Sequence, residues 1–162
     1  MQLFRLTRAK HARDFTGEGA VRFAGRWHEK GSRVLYASTS LSLSLNELVM
    51  QVHRQAWMVD LVCTVLEVPD EWWNGALVFE SVRVPENPLE SRAFGKAWLD
   101  AGETPMMRVP SALFSSNAAP GFCDVNAVLS VGRSDFRSAI RCVEVVPLQV
   151  DSRFQRRMLD AG

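Results

Sequence analysis

Four polar side chains lie in apolar or glycine-containing surroundings and have chemistry suited to a ligand: Arg26, Tyr36, Glu47 and Ser111. Arg26 follows Gly25, where the backbone can approach a ligand closely, and a guanidinium offers a planar fork of donors that suits phosphate or carboxylate. Tyr36 is the only tyrosine of the chain and is expected either in the core or in the wall of a pocket. Taken singly, a surface arginine and a core tyrosine are the simpler interpretations.

Glu47 and Ser111 also have simple structural interpretations when each is taken alone. Glu47 lies in a segment of helical periodicity, on the side opposite its apolar stripe, which predicts an exposed glutamate. The stripe consists of Leu41, Leu45, Leu48 and Val52. Ser111 follows Pro110 inside an apolar run, where its hydroxyl needs a hydrogen-bond partner. No G-x-S-x-G motif surrounds it, so a nucleophilic serine is not predicted.

Two segments are predicted to be helices. The first, "STSLSLSLNELVMQVHR", begins with Ser and Thr residues that can cap a helix, and its length favours a helix over the strand that "SLSLSL" alone would also fit. The second, "SRAFGKAWLDAG", has Ser91 as a possible N-cap and Gly102 at the stop position. Its expected buried face consists of Phe94, Ala97, Trp98 and Ala101.

Short apolar runs rich in Val, Leu and Met predict strands. They are "RVLYAS", "WMVDLVCTVLEV", "GALVFESVRV", "PMMRVPSALF", "VNAVLSV" and "AIRCVEVVPLQV". Pro147 in the last run predicts an edge strand or a bulge. Trp72 and Trp73 are expected to pack over a sheet edge, with a lid as the alternative for residues 69–88. Because strands outnumber helices, the sequence predicts a mixed α+β domain.

Length and composition limit the class of protein. A chain of 162 residues is expected to form one domain around a single core. A hydrophobic fraction of 47%, a charged fraction of 23% and a net charge of +1 disfavour disorder and direct nucleic-acid binding. No apolar run approaches the roughly 20 residues that span a bilayer, and the start lacks an apolar export signal. The cytoplasm is therefore the expected location.

The cysteines and histidines predict neither a disulfide framework nor a metal site. Cys63, Cys123 and Cys142 are far apart and form no CxxC pair, so they are expected to be reduced thiols. The three histidines show no HxH or HxxxH spacing that would bring two imidazoles to one metal.

The order of the segments resembles the RES-domain family, which is named for an arginine, a glutamate and a serine. "LFRLTRAKHARDFTGEGAVRFAGRWHEKGSRVLYAS" is similar to the family's F-R-L start, G-x-G-A element, G-G-R-W-N turn and L-Y strand. "SLSLSLNELVMQV" stands in the place of its S-L-A-L-A-x-x-E helix, and "FGKAWLDAGETPMMRVPSALF" is similar to its G-x-x-W-L and V-P-S-A elements. "SDFRSAIRCVEVVPLQVDSRF" resembles its closing strands and F-D-x-R ending. The name-giving residues fall on Arg26, Glu47 and Ser111, with Tyr36 as the usual aromatic companion.

This resemblance implies a single RES domain over residues 1–162, α+β with mixed sheets and flanking helices, similar to the fold of ADP-ribosyltransferase toxins. It implies a bacterial type II toxin that degrades NAD by phosphorolysis or hydrolysis, with NAD as the substrate, inorganic phosphate as a possible co-substrate and no cofactor. The implied catalytic residues are Arg26, Tyr36, Glu47 and Ser111, of which all but Glu47 bind NAD. The implied partner is a repressor-like (Xre-type) antitoxin that carries any DNA contact, in an assembly built on a homodimer or a toxin–antitoxin hetero-oligomer.

Two regions depart from the family pattern. The turn has Ala24 and His28 where the family has glycine and asparagine, and alanine would be strained there if the position needs a positive φ. An N-x-L-x-N-P-x-H-P element keeps its first asparagine, Asn126. Its later residues are replaced by Ser130, Val131 and Arg133. Two alternative functions stay open: a protein ADP-ribosyltransferase, which would keep the pocket and change the acceptor, and a non-catalytic binding module with a degenerate pocket, which these departures suggest.

Overall fold

A seven-stranded sheet forms the centre of the computed structural model, which describes residues 1–51, 60–80, 84–111, 124–151 and 153. Its strands are β1 (Gln2–Arg8), β2 (Val34–Ser38), β3 (Leu61–Glu67), β4 (Leu77–Val78), β5 (Met106–Pro110), β6 (Val125–Ser130) and β7 (Arg141–Pro147). The helices are α1 (Glu18–Arg22), α2 (Leu41–Gln51), α3 (Asp70–Asn74), α4 (Pro88–Ala101) and α5 (Phe136–Ala139), with a 3-10 turn at Ala9–His11.

The strands lie in the order β4-β5-β6-β2-β1-β3-β7, and all neighbouring pairs are antiparallel except β4 and β5. Strand β6, which comes late in the chain, lies between β5 and β2. Two of its pairings position the site: Asn126 lies opposite Ser38 of β2 on one side and opposite Val109 of β5 on the other. The predicted α+β class, with a mixed sheet and flanking helices, is confirmed.

Each face of the sheet carries its own apolar cluster, because alternate side chains of a strand point to opposite faces. One cluster includes Leu35, Leu129 and Phe136, and the tryptophans of α3 pack against it. The packing interpretation of Trp72 and Trp73 is therefore confirmed. The second cluster consists of Trp27, Val34, Trp98, Met107, Val109 and Val128. This second cluster lies on the face that carries Asn126.

The strand predictions hold with two differences. Strand β1 was not predicted because charged residues interrupt its apolar ones, yet it pairs with β3 over its whole length. Strand β4 has two residues instead of the longer run expected from "GALVFESVRV", part of which (residues 81–83) lies outside the described residues. Strand β7 pairs only with β3 among the described strands, and the register shifts opposite Val65 and Leu66. The edge position predicted from Pro147 is thus confirmed, and a bulge accompanies it.

Helix α2 begins as the sequence predicts, but it buries a different side. The Oγ of Ser40 accepts a hydrogen bond from the backbone N–H of Leu43 at 3.2 Å, so the expected serine cap is present. Leu41 is 38% exposed, whereas Leu43 and Ser44 are buried. The predicted stripe is wrong at Leu41, whereas Leu45 and Leu48 are half-buried. Ser44 can be buried because its hydroxyl donates to the carbonyl of Phe4 at 2.8 Å. Val52 lies outside the described residues.

Helix α4 begins one turn earlier than expected. Its N-cap is Asn87, whose side chain accepts from the N–H of Leu89 at 3.0 Å, so the assignment of Ser91 as the cap was wrong. Gly102 ends the helix with φ 64°, as predicted. Trp98 is buried and Phe94 is half-buried, but the alanines at 97 and 101 are exposed. Ser91 and Gly95 occupy the buried positions that were expected for the two alanines. They do so because the backbone of the turn before β2 lies directly against the helix.

Candidate active site

The carboxylate of Glu47 is the centre of a small hydrogen-bonded group. Its Oε1 accepts from the hydroxyl of Ser111 at 2.8 Å and from the Nδ2 of Asn126 at 2.7 Å. The Oδ1 of Asn126 in turn accepts from the hydroxyl of Ser38 at 2.6 Å. These four side chains come from α2, β6, β2 and the residue after β5, so the group is held by tertiary structure alone.

The two donors bind the same carboxylate oxygen and leave the other available. Among the described residues, Oε2 of Glu47 has no hydrogen-bond partner. Glu47 is half-buried, although its position opposite the predicted stripe indicated an exposed side chain. A carboxylate fixed through one oxygen, with the second oxygen open, is suited to stabilise positive charge on a bound ligand.

The strand registers explain why these residues meet. Ser38 and Asn126 are directly opposed on β2 and β6, and Asn126 is directly opposed to Val109 on β5. Ser111 lies two residues beyond Val109, so its side chain lies on the same face of the sheet. Ser111 is 5% exposed, and its hydroxyl donates to Glu47, which provides the hydrogen-bond partner that burial in an apolar run requires.

Tyr36 lies on β2, two residues before Ser38 and on the same face. Its ring is half-buried, and its hydroxyl accepts from the backbone N–H of Trp27 at 3.2 Å. Burial raises the pKa of this phenol well above its usual range, and the negative charge of Glu47 raises it further. The phenol is therefore un-ionised and lies within electrostatic reach of the carboxylate.

Arg26 lies in the turn before β2, and helix α4 holds the backbone of that turn. The hydroxyl of Ser91 donates to the carbonyl of Arg26 at 2.7 Å, and Nε of Arg92 donates to the carbonyl of Gly25 at 2.8 Å. The half-buried Arg26 side chain donates through Nη1 to the carbonyl of Pro85 at 3.4 Å. Among the described residues no hydrogen bond joins Arg26 to Tyr36 or Glu47, and its remaining N–H groups are available to an anion.

The two departures in the turn have different outcomes. Asp60, with φ 59°, is the one described non-glycine residue with a positive φ, so Ala24 does not need a left-handed conformation and the expected strain is absent. His28 is 3% exposed and uses both ring nitrogens: Nδ1 lies 2.8 Å from the Tyr36 hydroxyl and Nε2 lies 3.1 Å from the carbonyl of Phe23.

The departures after Asn126 lie away from Glu47. Ser130 is opposite Val34, at the other end of β6 from the Asn126–Ser38 pair. Ser130 is four residue steps along the strand from Asn126, a distance of about 13 Å. Arg133 pairs with Asp135 and donates to the carbonyl of Gly102 at 2.8 Å. The replaced part of the element therefore does not touch the group around Glu47, while its retained Asn126 does.

Two contributors were not identified as site residues from the sequence. Ser38 and Asn126 are polar residues on the inward face of central strands, a position where a side chain must find a hydrogen-bond partner. That pattern was visible in "VLYAS" and "VNAVLSV" as polar residues among apolar ones. Their partner was not visible, because it lies 79 residues away for Asn126.

The part of the chain that the structure describes contains neither a metal site nor a membrane-spanning helix. No group of three or more His, Cys, Asp and Glu side chains is arranged to hold a metal ion. No helix in that part of the chain is both long enough and apolar enough to cross a membrane. Of the cysteines, Cys63 and Cys142 are free thiols, and Cys123 lies outside the described residues.

Comparison with known proteins assigns the chain to a protein family. The RES domain family matches residues 2–151, so the chain belongs to the RES domain family. A "Toxin Res" of Photorhabdus laumondii is 27% identical over 160 residues, covering 94% of this chain and 96% of that protein. A "Prs ADP-ribosylating toxin" of Sphingobium is 30% identical over 112 residues, covering 65% of this chain and 70% of that protein.

A solved structure has a similar fold. The M. tuberculosis MbcT–MbcA toxin–antitoxin complex contains a chain that superposes with a TM-score of 0.59 at 16% identity, covering 97% of this chain and 87% of that one. At this identity the similarity concerns the fold.

Proposed function

We propose that this protein is a RES toxin that cleaves the nicotinamide–ribose bond of NAD and thereby depletes the NAD of the bacterial cytoplasm. The observation that carries the proposal is the Glu47 carboxylate, which two donors fix through Oε1 while Oε2 faces no described partner. Cleavage of this bond builds positive charge on the ribose in an oxocarbenium-like transition state, and a fixed carboxylate stabilises that charge.

This effect can supply a substantial part of a catalytic rate enhancement. At about 4 Å and an effective dielectric constant of about 20, the attraction is on the order of 4 kcal/mol. This corresponds to roughly a thousandfold in rate. Nicotinamide leaves as a neutral group, so the reaction needs no strong general acid.

The other three side chains bind and orient NAD in this proposal. Arg26 binds the pyrophosphate or an attacking phosphate through the N–H groups that Pro85 leaves available. Tyr36 packs against the nicotinamide or ribose. Ser111 holds Glu47 and orients a ribose hydroxyl or phosphate next to it.

The proposed biological setting is a toxin–antitoxin pair. Support comes from the relatives named "Toxin Res" and from the solved toxin–antitoxin complex with a similar fold. A small repressor-like antitoxin would silence the enzyme and carry the DNA contact. Expression of the toxin alone should arrest growth, and coexpression of the adjacent gene should relieve the arrest.

The direct test is to incubate the purified protein with NAD, with and without inorganic phosphate, and to separate the products. We expect nicotinamide release in both or one of these conditions. ADP-ribose 1″-phosphate identifies phosphorolysis, and free ADP-ribose identifies hydrolysis. Intact NAD under every condition would overturn the proposal and leave the binding-module alternative.

A second candidate function is transfer of ADP-ribose to a protein, and it is favoured by the 30% identical relative named as an ADP-ribosylating toxin. The same incubation with NAD labelled in the adenosine part and a cell extract distinguishes it. Label that becomes attached to protein identifies transfer, and label that stays in small molecules identifies degradation.

Asn126→Ala is expected to slow NAD cleavage about tenfold or more in kcat, with a smaller change in KM. The variant removes one of the two donors on Glu47 and leaves the hydroxyl of Ser38 without its acceptor, so the carboxylate is less well oriented. The matched control is Asn46→Ala, since Asn46 neighbours Glu47 on α2 but makes no hydrogen bond with described residues. Equal kcat values for the two variants would show that Asn126 does not orient Glu47 for the reaction.

A further inference from the structure

Two groups form hydrogen bonds with the hydroxyl of Tyr36. The backbone N–H of Trp27 donates to it at 3.2 Å, and Nδ1 of His28 lies 2.8 Å from it. The other ring nitrogen of His28 lies 3.1 Å from the carbonyl oxygen of Phe23. Both the histidine and the hydroxyl are therefore held from two sides.

These contacts determine where the protons lie when His28 is neutral. A carbonyl oxygen can only accept, so Nε2 of His28 must carry the hydrogen that bonds to Phe23. Nδ1 of a neutral ring then has a lone pair and can only accept. The Tyr36 hydroxyl consequently donates its proton to Nδ1, while its oxygen accepts from the N–H of Trp27.

Gly25 makes room for this arrangement. A Cβ at this position would overlap the Cε1 of His28 and would lie 2.7 Å from its Nδ1 and 3.0 Å from the hydroxyl of Tyr36. Its φ is not in the left-handed region, so the glycine is needed for space and not for backbone conformation. Gly25 thus leaves the space that the imidazole of His28 occupies next to the Tyr36 hydroxyl.

We propose that His28 is a positioning residue: its Nδ1 accepts a hydrogen bond from the hydroxyl of Tyr36 and thereby fixes the ring on the face of the sheet that carries Ser38 and Asn126. This inference rests on the proposed function, because Tyr36 matters only if it contacts NAD. A proton taken from solvent by Nδ1 would reverse the contact: Nδ1–H would donate to a phenol oxygen that already accepts from Trp27, and the hydroxyl would have to find another acceptor. Protonation of His28 at low pH should therefore weaken the hydrogen bonding that holds the Tyr36 ring in place.

The surroundings of His28 favour its neutral form. Burial lowers its pKa below the ordinary value of about 6.5. From α4, the positive Arg92 lowers this pKa too, while the backbone carbonyls of Phe23 and Ala20 raise it. The group on β2 that faces His28 is the un-ionised Tyr36, on which the negative charge of Glu47 also acts. At neutral pH the ring is uncharged and acts as the acceptor.

The first experiment observes the contact without any reaction. The chain has three histidines and one tyrosine, so 15N-histidine and 13Cζ-tyrosine labelling give few signals, and the single tyrosine signal is Tyr36. We expect the Nε2–H tautomer for His28 at pH 8, and a Tyr36 signal that moves on acidification with the same midpoint as the His28 ring. An Nδ1–H tautomer, or a Tyr36 signal that does not follow His28, would overturn the proposal whether or not the protein cleaves NAD.

The second experiment compares two substitutions by kcat/KM for NAD across pH. His28→Asn places an amide oxygen where Nδ1 was and cannot be protonated, so it should keep activity within about threefold and lose the acid limb that follows His28. His28→Leu offers no acceptor and should lose about tenfold in kcat. An acid limb that persists in His28→Asn at the His28 midpoint, or a folded His28→Leu with wild-type kcat, would refute the positioning role. If wild type releases no nicotinamide, the proposed function fails and the NMR result alone decides the contact.

Discussion

Replacing Glu47 by glutamine is expected to lower the rate of NAD cleavage by at least about a hundredfold while leaving the fold intact. The amide oxygen of glutamine can still accept from Ser111 and Asn126, so the hydrogen bonds of the group are preserved and the negative charge alone is removed. Loss of an attraction on the order of 4 kcal/mol allows an effect of up to roughly a thousandfold. The measurement is kcat for nicotinamide release, with thermal unfolding to verify the fold.

Glu90→Gln is the matched control for this prediction. Glu90 is exposed in the first turn of α4, so the same change of charge should leave kcat unaltered. If Glu47→Gln were as active as Glu90→Gln, the assignment of Glu47 as the charge-stabilising group would be wrong. The enzyme would then need a different source of transition-state stabilisation.

Gly95→Ala is expected to destabilise the protein by about 2 kcal/mol or more, although alanine is the better helix former. A Cβ at Gly95 would overlap the carbonyl oxygen of Trp27 and lie 2.8 Å from its carbonyl carbon. Backbone atoms cannot move aside as the end of a flexible side chain can, so helix α4 and the Arg26 turn must separate. For a chain of this size we expect the melting temperature to fall by roughly 5 °C or more, with a loss of NAD cleavage because Arg26 moves with the turn.

Gly19→Ala supplies the comparison for the effect of the glycine itself. Gly19 is also helical, in α1, and a Cβ there would have no atom within 4 Å. This variant should be as stable as wild type or slightly more stable, by up to about 1 kcal/mol. A melting temperature for Gly95→Ala equal to that of Gly19→Ala would show that the contact between α4 and the turn tolerates an added methyl group.

The sequence predicted individual elements better than the contacts between them. The Ser40 cap, the Gly102 stop and the edge position of β7 depend on a few neighbouring residues, and the structure contains all three. The buried side of α2 was misjudged because burial of Ser44 depends on a carbonyl of β1, which no local pattern reveals. In the same way, Ser91 was taken for a cap because the carbonyl of Arg26 to which it donates is 65 residues away.

The site residues show the same distinction. Arg26, Tyr36, Glu47 and Ser111 were singled out by residue type and by resemblance to a family. The structure brings Glu47 and Ser111 into contact and places Tyr36 within reach of the Glu47 charge. Their roles in NAD cleavage remain predictions. What fixes them in place, namely Asn126 on Glu47 and His28 on Tyr36, required the strand register and the conformation of the turn.

The position of β6 in the sheet bears on when the protein can first act. Glu47 is made early in synthesis, but Asn126 reaches it only when β6 has been inserted between β5 and β2. A nascent chain that ends before β6 has the glutamate without its amide donor and has a gap in the middle of its sheet. Assembly of the group around Glu47 therefore requires β6, the sixth of the seven strands in chain order, to be in place in the sheet.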